Sequence, residues 1–342
     1  MCTELPDYIF YPMKETIYPL QFTPIYKDYI WGGNKIETTY KRSSCPKICA
    51  ESWEISDHND GMSVVTNGIL SGASLHQLVE TMSNELLGPG KNQKAFPLIV
   101  KVIDARQRLS VQVHPDDKTA ETLGAEAKTE MWYILSADSG AKLFAGLKEN
   151  TTEKDFTTAL KENNVEHLLN AIPVREGDAI YIPGGTVHAI GEGCLILEVQ
   201  QNSNTTYRAY DWNRIDKNGH PRELHIKEAL QTINWTAENP QLKQLHDMIN
   251  TRGNQVQNVI SSPYFMISKL KLETREVLKN TCHGFNILFT AKGLLAIETN
   301  DFKQLLPPGT SCLIPAAINE YSLTPVDSRV TAVHICQPAI MA

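Results

Sequence analysis

Short apolar or alternating runs, parted by turn residues, recur along most of the chain. "FPLIVKVIDA" (96–105) has the length and apolarity of a buried strand. "LSVQVHPDD", "EMWYIL", "AKLFAGL", "DAIYIP" and "CLILEVQQ" follow in order, each bounded by turn signals. The series predicts a mainly β chain folded as an antiparallel barrel or sandwich. Three segments carry helical spacing instead. One spans 74–87 through Leu75, Leu78, Val79, Met82 and Leu86; one lies near 152–170, with Phe156, Leu160 and Leu168-Leu169 as its apolar side. The third covers 223–233 through Leu224, Ile226, Leu230 and Ile233. Residues 234–257 are polar and read as a link; from about 258 short strands resume in "YFMISKLKL", "FNILFTA", "LLAIET", "SCLIPA" and "RVTAVHIC".

The two β regions read as degenerate copies. "GDAIYIPGGTVH" places Gly177, Pro183 and His188 at the same offsets as Gly309, Pro315 and Glu320 in "GTSCLIPAAINE". Matching "EMWYIL" to "HGFNIL" sets His283 opposite Glu130. The second copy lacks a histidine at its turn, and "SKLKLET" supplies lysines and an acid where the first copy has "VQVH".

In "SVQVH", strand alternation points Gln112 and His114 to one face, and Pro115 ends the strand there. Glu130 opens the next run on a face shared with Trp132 and Ile134; His188 follows a strand, a proline and a Gly-Gly turn. Two imidazoles and a carboxylate at strand ends of one barrel suit a divalent transition metal with open coordination positions. The bland reading of each histidine alone is a hydrogen-bonded core or loop residue. Asp116 and Asp117 read as a solvated turn.

Composition narrows the field. The 342 residues suit two domains, with 42% hydrophobic and 21% charged residues. A balance of 32 Lys+Arg to 39 Asp+Glu, net charge -7, with no long basic run, argues against a nucleic-acid partner. No run approaches a membrane span, and the start of the chain lacks the pattern of a signal peptide. Seven scattered cysteines fit a reducing compartment, so a cytoplasmic location is expected. The oligomeric state is left open.

"LSVQVHPDD", "KTEMWYIL", "IPGGTVHAI" and "LEVQQNSNTTYRAYDW", with "YIWGG", "ESWEIS" and "PRELH", closely resemble the motifs of type I mannose-6-phosphate isomerases in their short bacterial form. The similarity covers roughly residues 18–335 and is strongest at 96–225. It implies two cupin-type jelly-roll domains with helical insertions. Residues 1–250 would be the catalytic cupin with an N-terminal extension, and 251–342 a metal-free cupin-like domain. It also implies one Zn2+ per chain, a small phosphosugar substrate, and interconversion of mannose 6-phosphate and fructose 6-phosphate through an enediolate. The metal ligands fall on His114, Glu130 and His188, with Gln112 matching a fourth ligand of longer relatives. The active-site arginine falls on Arg208; the aspartate that longer relatives carry four residues earlier is Asn204 here.

Arg208 would stabilise the enediolate oxygen or hold the phosphate; without the resemblance it reads as an ion pair, with Asp211 in reach. Lys128 would bind substrate oxygens or share proton transfer. Glu198, Asp211, Lys128 and His225 are the candidates for the base. Trp31, Glu51 and Trp53 wall the pocket or pack the core. An iron-dependent cupin oxygenase on the same ligand triad and a non-catalytic phosphosugar-binding cupin are the competing readings.

Overall fold

The computed structural model describes residues 17–338, apart from 92, 217, 244–247, 250–252 and 282. Cys2 and the beginning of the expected N-terminal extension, together with Cys282, lie outside the described residues. The five described cysteines are free and buried.

The alternating segments build two jelly rolls from antiparallel sheets. In the first, one sheet runs Ile25–Lys27, Glu51–Ile55, Leu98–Ala105, Cys194–Gln201, Glu130–Ala137, Ala179–Ile182. Its partner runs Tyr207–Tyr210, Val111–Val113, His188–Ile190, Lys142–Leu147, Leu169–Pro173. The second roll repeats this plan. Its central strands are Met266–Leu272, Val330–Cys336, Asn286–Lys292 and Ser311–Ile314, in the order of their counterparts in the first roll. Its second sheet runs Glu276–Lys279, Glu320–Pro325, Leu295–Glu298, Lys303–Leu306.

The six-stranded sheets of the two rolls pack face to face. Met131, Tyr133, Leu135 and Val199 from the first share one core with Phe265, Ile267, Phe289, Val333 and Ile335 from the second. The N-terminal segment crosses the same seam: Leu20 and Leu313 exchange both backbone hydrogen bonds, at 2.7 and 2.9 Å. A buried ion pair is tied to it as well. Arg42 donates to Ser52 Oγ at 2.7 Å and to Glu54 at 2.7 and 2.9 Å, and also to the carbonyl of Gly309 in the second roll.

The helices are shorter than their periodicity suggests. The 74–87 segment is two helices, Leu75–Thr81 and Ser83–Leu87. Ser74 and Gln77 cap the first reciprocally, and Met82 leaves helical geometry between them. Residues 153–161 are helical behind a Thr152–Asp155 capping box; Asn163, at φ 55°, ends that run, and a 3-10 turn (Val165–Leu168) leads into a strand. The third helix is Ile226–Thr232, and it buries Ala229 and Thr232; Leu224 and Ile226 are exposed, so the expected apolar side is only half correct. The polar 234–257 stretch is not a free link. Trp235 packs on Phe156, Asn239 donates to the Leu147 carbonyl, Leu242 bridges to Ile180, and a strand already runs Gln255–Ser261.

The pairing of the two copies needs correcting. Glu130 pairs with Ile182, just before Pro183, and with Gln200; Asn286 pairs with Ile314, just before Pro315, and with Cys336. Asn286 therefore occupies the place of Glu130, and His283 is an exposed residue at φ 50° outside the strand. The second turn, "AAIN", puts four residues between its proline and its strand, as "GGTV" does in the first, but it enters the strand on the opposite face. It exposes Glu320 and turns Tyr321 inward, because a slip of one residue exchanges the faces of a strand. Inside the second roll, His334 Nε2 lies 3.1 Å from Tyr321 OH and 2.9 Å from Asn286 Oδ1, a neutral hydrogen-bonded trio.

Candidate metal centre and active-site cleft

The turn after Ala179–Ile182 delivers His188 by contact with the loop that carries His114. Gly185 N–H donates to the His114 carbonyl at 2.7 Å, and Thr186 N–H closes the turn on Pro183. Gly185 has φ +83°, and a Cβ on Gly184 would lie 2.6 Å from the Asp116 backbone, so the Gly-Gly pair permits both the turn and the approach. Asp116 caps the helix Asp117–Leu123, accepting from Thr119 N–H at 2.7 Å, and Asp117 accepts from Tyr264 across the seam. The pair read as a solvated turn thus starts a helix and anchors it.

His114, Glu130 and His188 converge. One ligand atom from each lies within 4.8 Å of the others, the only such group of His, Cys, Asp or Glu among the described residues. His188 Nε2 is 3.4 Å from Glu130 Oε1, and His114 Nε2 is 3.5 Å from Oε2. The Gln112 amide reaches His188 Nε2 at 3.3 Å, so all four expected ligands meet. His188 Nδ1 lies 2.9 Å from the Thr186 carbonyl; an N–H there leaves Nε2 as a lone-pair donor facing the centre. Trp132 packs edge-on against His188, with ring centroids 5.4 Å apart.

The donor set fits a cation. Both Glu130 oxygens are buried and accept no directed hydrogen bond; the nearest charge is Lys128 Nζ, 2.9 Å from Oε2 and 3.0 Å from His114 Nε2. Burial pushes the Glu130 carboxyl up to about 7 against the pull of Lys128. Burial, then Lys128 and His188, hold His114 well below the imidazole range. Burial likewise moves His188 down to about 4. Neutral imidazoles and a carboxylate short of donors are what a divalent metal needs.

A cleft of about 260 Å³ adjoins the triad, lined by Trp31, Gln112, Lys128, Glu198, Asn204 and Arg208 among others. Burial alone would raise Glu198, but Lys128, Lys101 and the Trp132 N–H (3.1 Å) hold it below its ordinary value, ionised. Arg208 does not pair with Asp211. Asp211 is held by Arg214 and Arg222, which removes it as a base. Arg208 donates to the Glu223 carbonyl at 2.7 Å, and its buried Nε has no partner. His225 does not line the cleft; it begins the helix Ile226–Thr232. Trp53 is fully buried, and its indole donates to Glu51 at 2.7 Å. Asn204 binds Asp60 at 2.7 Å.

Lys101 is the cleft residue that sequence reasoning missed. It sits in a strand whose every residue is buried, 3.5 Å from Glu198 and 3.7 Å from Glu51, and 4.5 Å over the Trp53 ring. Burial alone would lower its pKa; Glu51 and Glu198 more than offset that and raise it. A lysine amid an otherwise aliphatic run was the available signal, since a buried charge needs a partner.

Among the described residues, no helix is long and apolar enough to cross a membrane. The model of the type I phosphomannose isomerase catalytic domain matches residues 19–167, and that of the mannose-6-phosphate isomerase cupin domain matches 255–335. The chain is 35% identical over 312 residues to mannose-6-phosphate isomerase ManA of Bacillus subtilis strain 168, covering 90% of this chain and 96% of that one. It is 38% identical over 294 residues to the mannose-6-phosphate isomerase of Streptococcus mutans, covering 85% and 90%. The crystal structure of the Bacillus subtilis mannose 6-phosphate isomerase superposes with a TM-score of 0.84 at 30% identity, over 93% of this chain and 99% of that one. The chain therefore belongs to the type I phosphomannose isomerase family, and is an enzyme of the mannose-6-phosphate isomerase class.

Proposed function

We propose that this chain interconverts mannose 6-phosphate and fructose 6-phosphate in the cytoplasm, with one zinc ion held by His114, Glu130, His188 and Gln112. The observation that carries the reading is the buried triad, whose two Glu130 oxygens accept no directed hydrogen bond, opening on a cleft lined with fixed charges. Zinc bound there would polarise the sugar carbonyl and favour negative charge on its oxygen.

The chain's own groups supply the rest. Glu198, kept ionised by Lys101, Lys128 and Trp132, is the base that moves the proton between the two carbons. Arg208 turns its guanidinium to the developing enediolate oxygen, a contribution of ~3 kcal/mol for one preorganised donor. Lys128 balances the Glu130 charge and meets substrate oxygens, while Lys101 holds Glu198 in place. Trp31, 3% exposed, walls the cleft and excludes water. In this reading residues 1–250 carry the chemistry and 251–342 form a second, metal-free roll, whose interior place for Glu130 is taken by Asn286.

The test is a coupled assay on mannose 6-phosphate, before and after chelation, with metal analysis of the active protein. One zinc per chain, with activity lost on chelation and restored by zinc, is expected. Iron with oxygen consumption would instead mark an oxygenase, and phosphosugar binding without turnover a sensor.

A further inference from the structure

The seam between the two rolls is closed by apolar side chains at one end only. On the strand Met266–Leu272, Ile267 enters the shared core, while Leu270 and Leu272 face the interior of the second roll. Lys269 and Lys271 continue the Ile267 face, where apolar residues would close the contact. The sheets part there around a cavity of about 330 Å³.

Charge in this cavity is lopsided. Lys269, Lys271, Lys292 and Arg329 line it against two carboxylates, Glu176 and Glu273. Glu176 is taken by Lys292, and Glu273 accepts from Arg329 Nε at 2.9 Å. Lys271 has no ion pair among the described residues. Lys269 reaches over the seam to the first roll, its Nζ 5.6 Å from the centroid of the Tyr133 ring. In a chain of net charge -7, this is a local excess of positive charge in a concave site.

We propose that this seam cavity binds a small compound carrying more than one phosphate, independently of the active-site cleft. The lysines and Arg329 take the phosphates. Ammonium groups suit phosphate as point charges, and the volume falls in the range of small-ligand pockets. Because the cations belong to the second roll and Tyr133 and Glu176 to the first, the ligand bridges the rolls. Tyr133 faces the cavity from the strand whose neighbouring residue, Trp132, packs on His188, so the two sites lie on opposite faces of one sheet.

Titration calorimetry with fructose 1,6-bisphosphate and with pyrophosphate tests this on the intact protein. Tighter binding of the bisphosphate would identify a phosphorylated sugar as the source, and tighter pyrophosphate an inorganic polyanion. In either case Arg208→Ala should leave this binding in place, whereas Lys269→Gln with Lys271→Gln should weaken it at least tenfold. The double variant should keep its isomerase activity. Lys271→Gln alone is the milder check, with a severalfold loss. Absence of binding by both probes, binding unchanged in the lysine variants, or binding lost only with Arg208 would each overturn the proposal. The readout is binding, so it stands apart from any failure of the assigned reaction.

Discussion

Replacing Arg42 by methionine should be among the most damaging single changes outside the cleft. Its side chain is 12% exposed and that of Glu54 3%, so the substitution strands a carboxylate among groups that cannot solvate it. At about 2.8 Å and an effective dielectric of ~20, the direct attraction lost is about 6 kcal/mol. Ser52 Oγ, 2.6 Å from Glu54 Oε1, remains as a hydrogen-bond donor and offsets part of that loss. Removing one partner of a buried pair typically costs roughly 3–5 kcal/mol, so the expected loss is about 3–4 kcal/mol at pH 7. Urea unfolding of parent, Arg42→Met and Arg42→Met/Glu54→Leu at pH 7 measures this. The double variant should recover most of the loss, since no charge is left buried. A deficit under about 1 kcal/mol, or a double variant as unstable as the single, would refute the reasoning.

His188→Ala should strip the metal and at least a hundredfold of the activity while leaving the far-ultraviolet circular dichroism unchanged; metal content measured beside activity decides it. Arg208→Lys should lower kcat by more than it raises KM if the guanidinium stabilises the enediolate; a rise in KM at constant kcat would assign it to the phosphate instead. Burial pushes His334 down to about 4, below the ~6.5 of an unfolded imidazole, so the unfolded chain binds more protons between those values. Stability should fall as pH drops through that window, by at most about 3 kcal/mol, the ring being only part-buried. In His334→Gln that component should vanish, and parallel urea midpoints for the two chains from pH 7 to 4 would count against it.

Local rules made much of this molecule readable. Alternation carried Gln112 and His114 to one face, and Pro183 with two glycines can make only a tight turn, so the convergence of His114, Glu130 and His188 was visible without coordinates. The strand order of each roll was not, because pairing depends on contacts far apart in sequence. The same holds for Arg42, whose partners lie on another strand and in the other roll. Asp211 looked available to Arg208, but Arg214 and Arg222 claim it by folding back over a turn. In the second roll the apolar string "FNIL" matched "WYIL" by composition, three residues out of the register that the prolines set. Repeated hydrophobic letters carry little positional information; a proline that ends a strand carries more.

The seam also constrains how this chain can be made. Among the described residues the strand Val330–Cys336 is the last in sequence, yet it lies in the middle of its sheet, between Met266–Leu272 and Asn286–Lys292. Until it leaves the ribosome, the second sheet has no centre. The first roll must meanwhile wait with the Met131–Tyr133 face uncovered, since its cover comes from Phe265, Phe289, Val333 and Ile335. Leu20, near the beginning, likewise waits for Leu313. The core therefore cannot close before residue 330 has been made, and a nascent chain stalled anywhere short of it presents an apolar sheet face to chaperones and to its neighbours on the polysome.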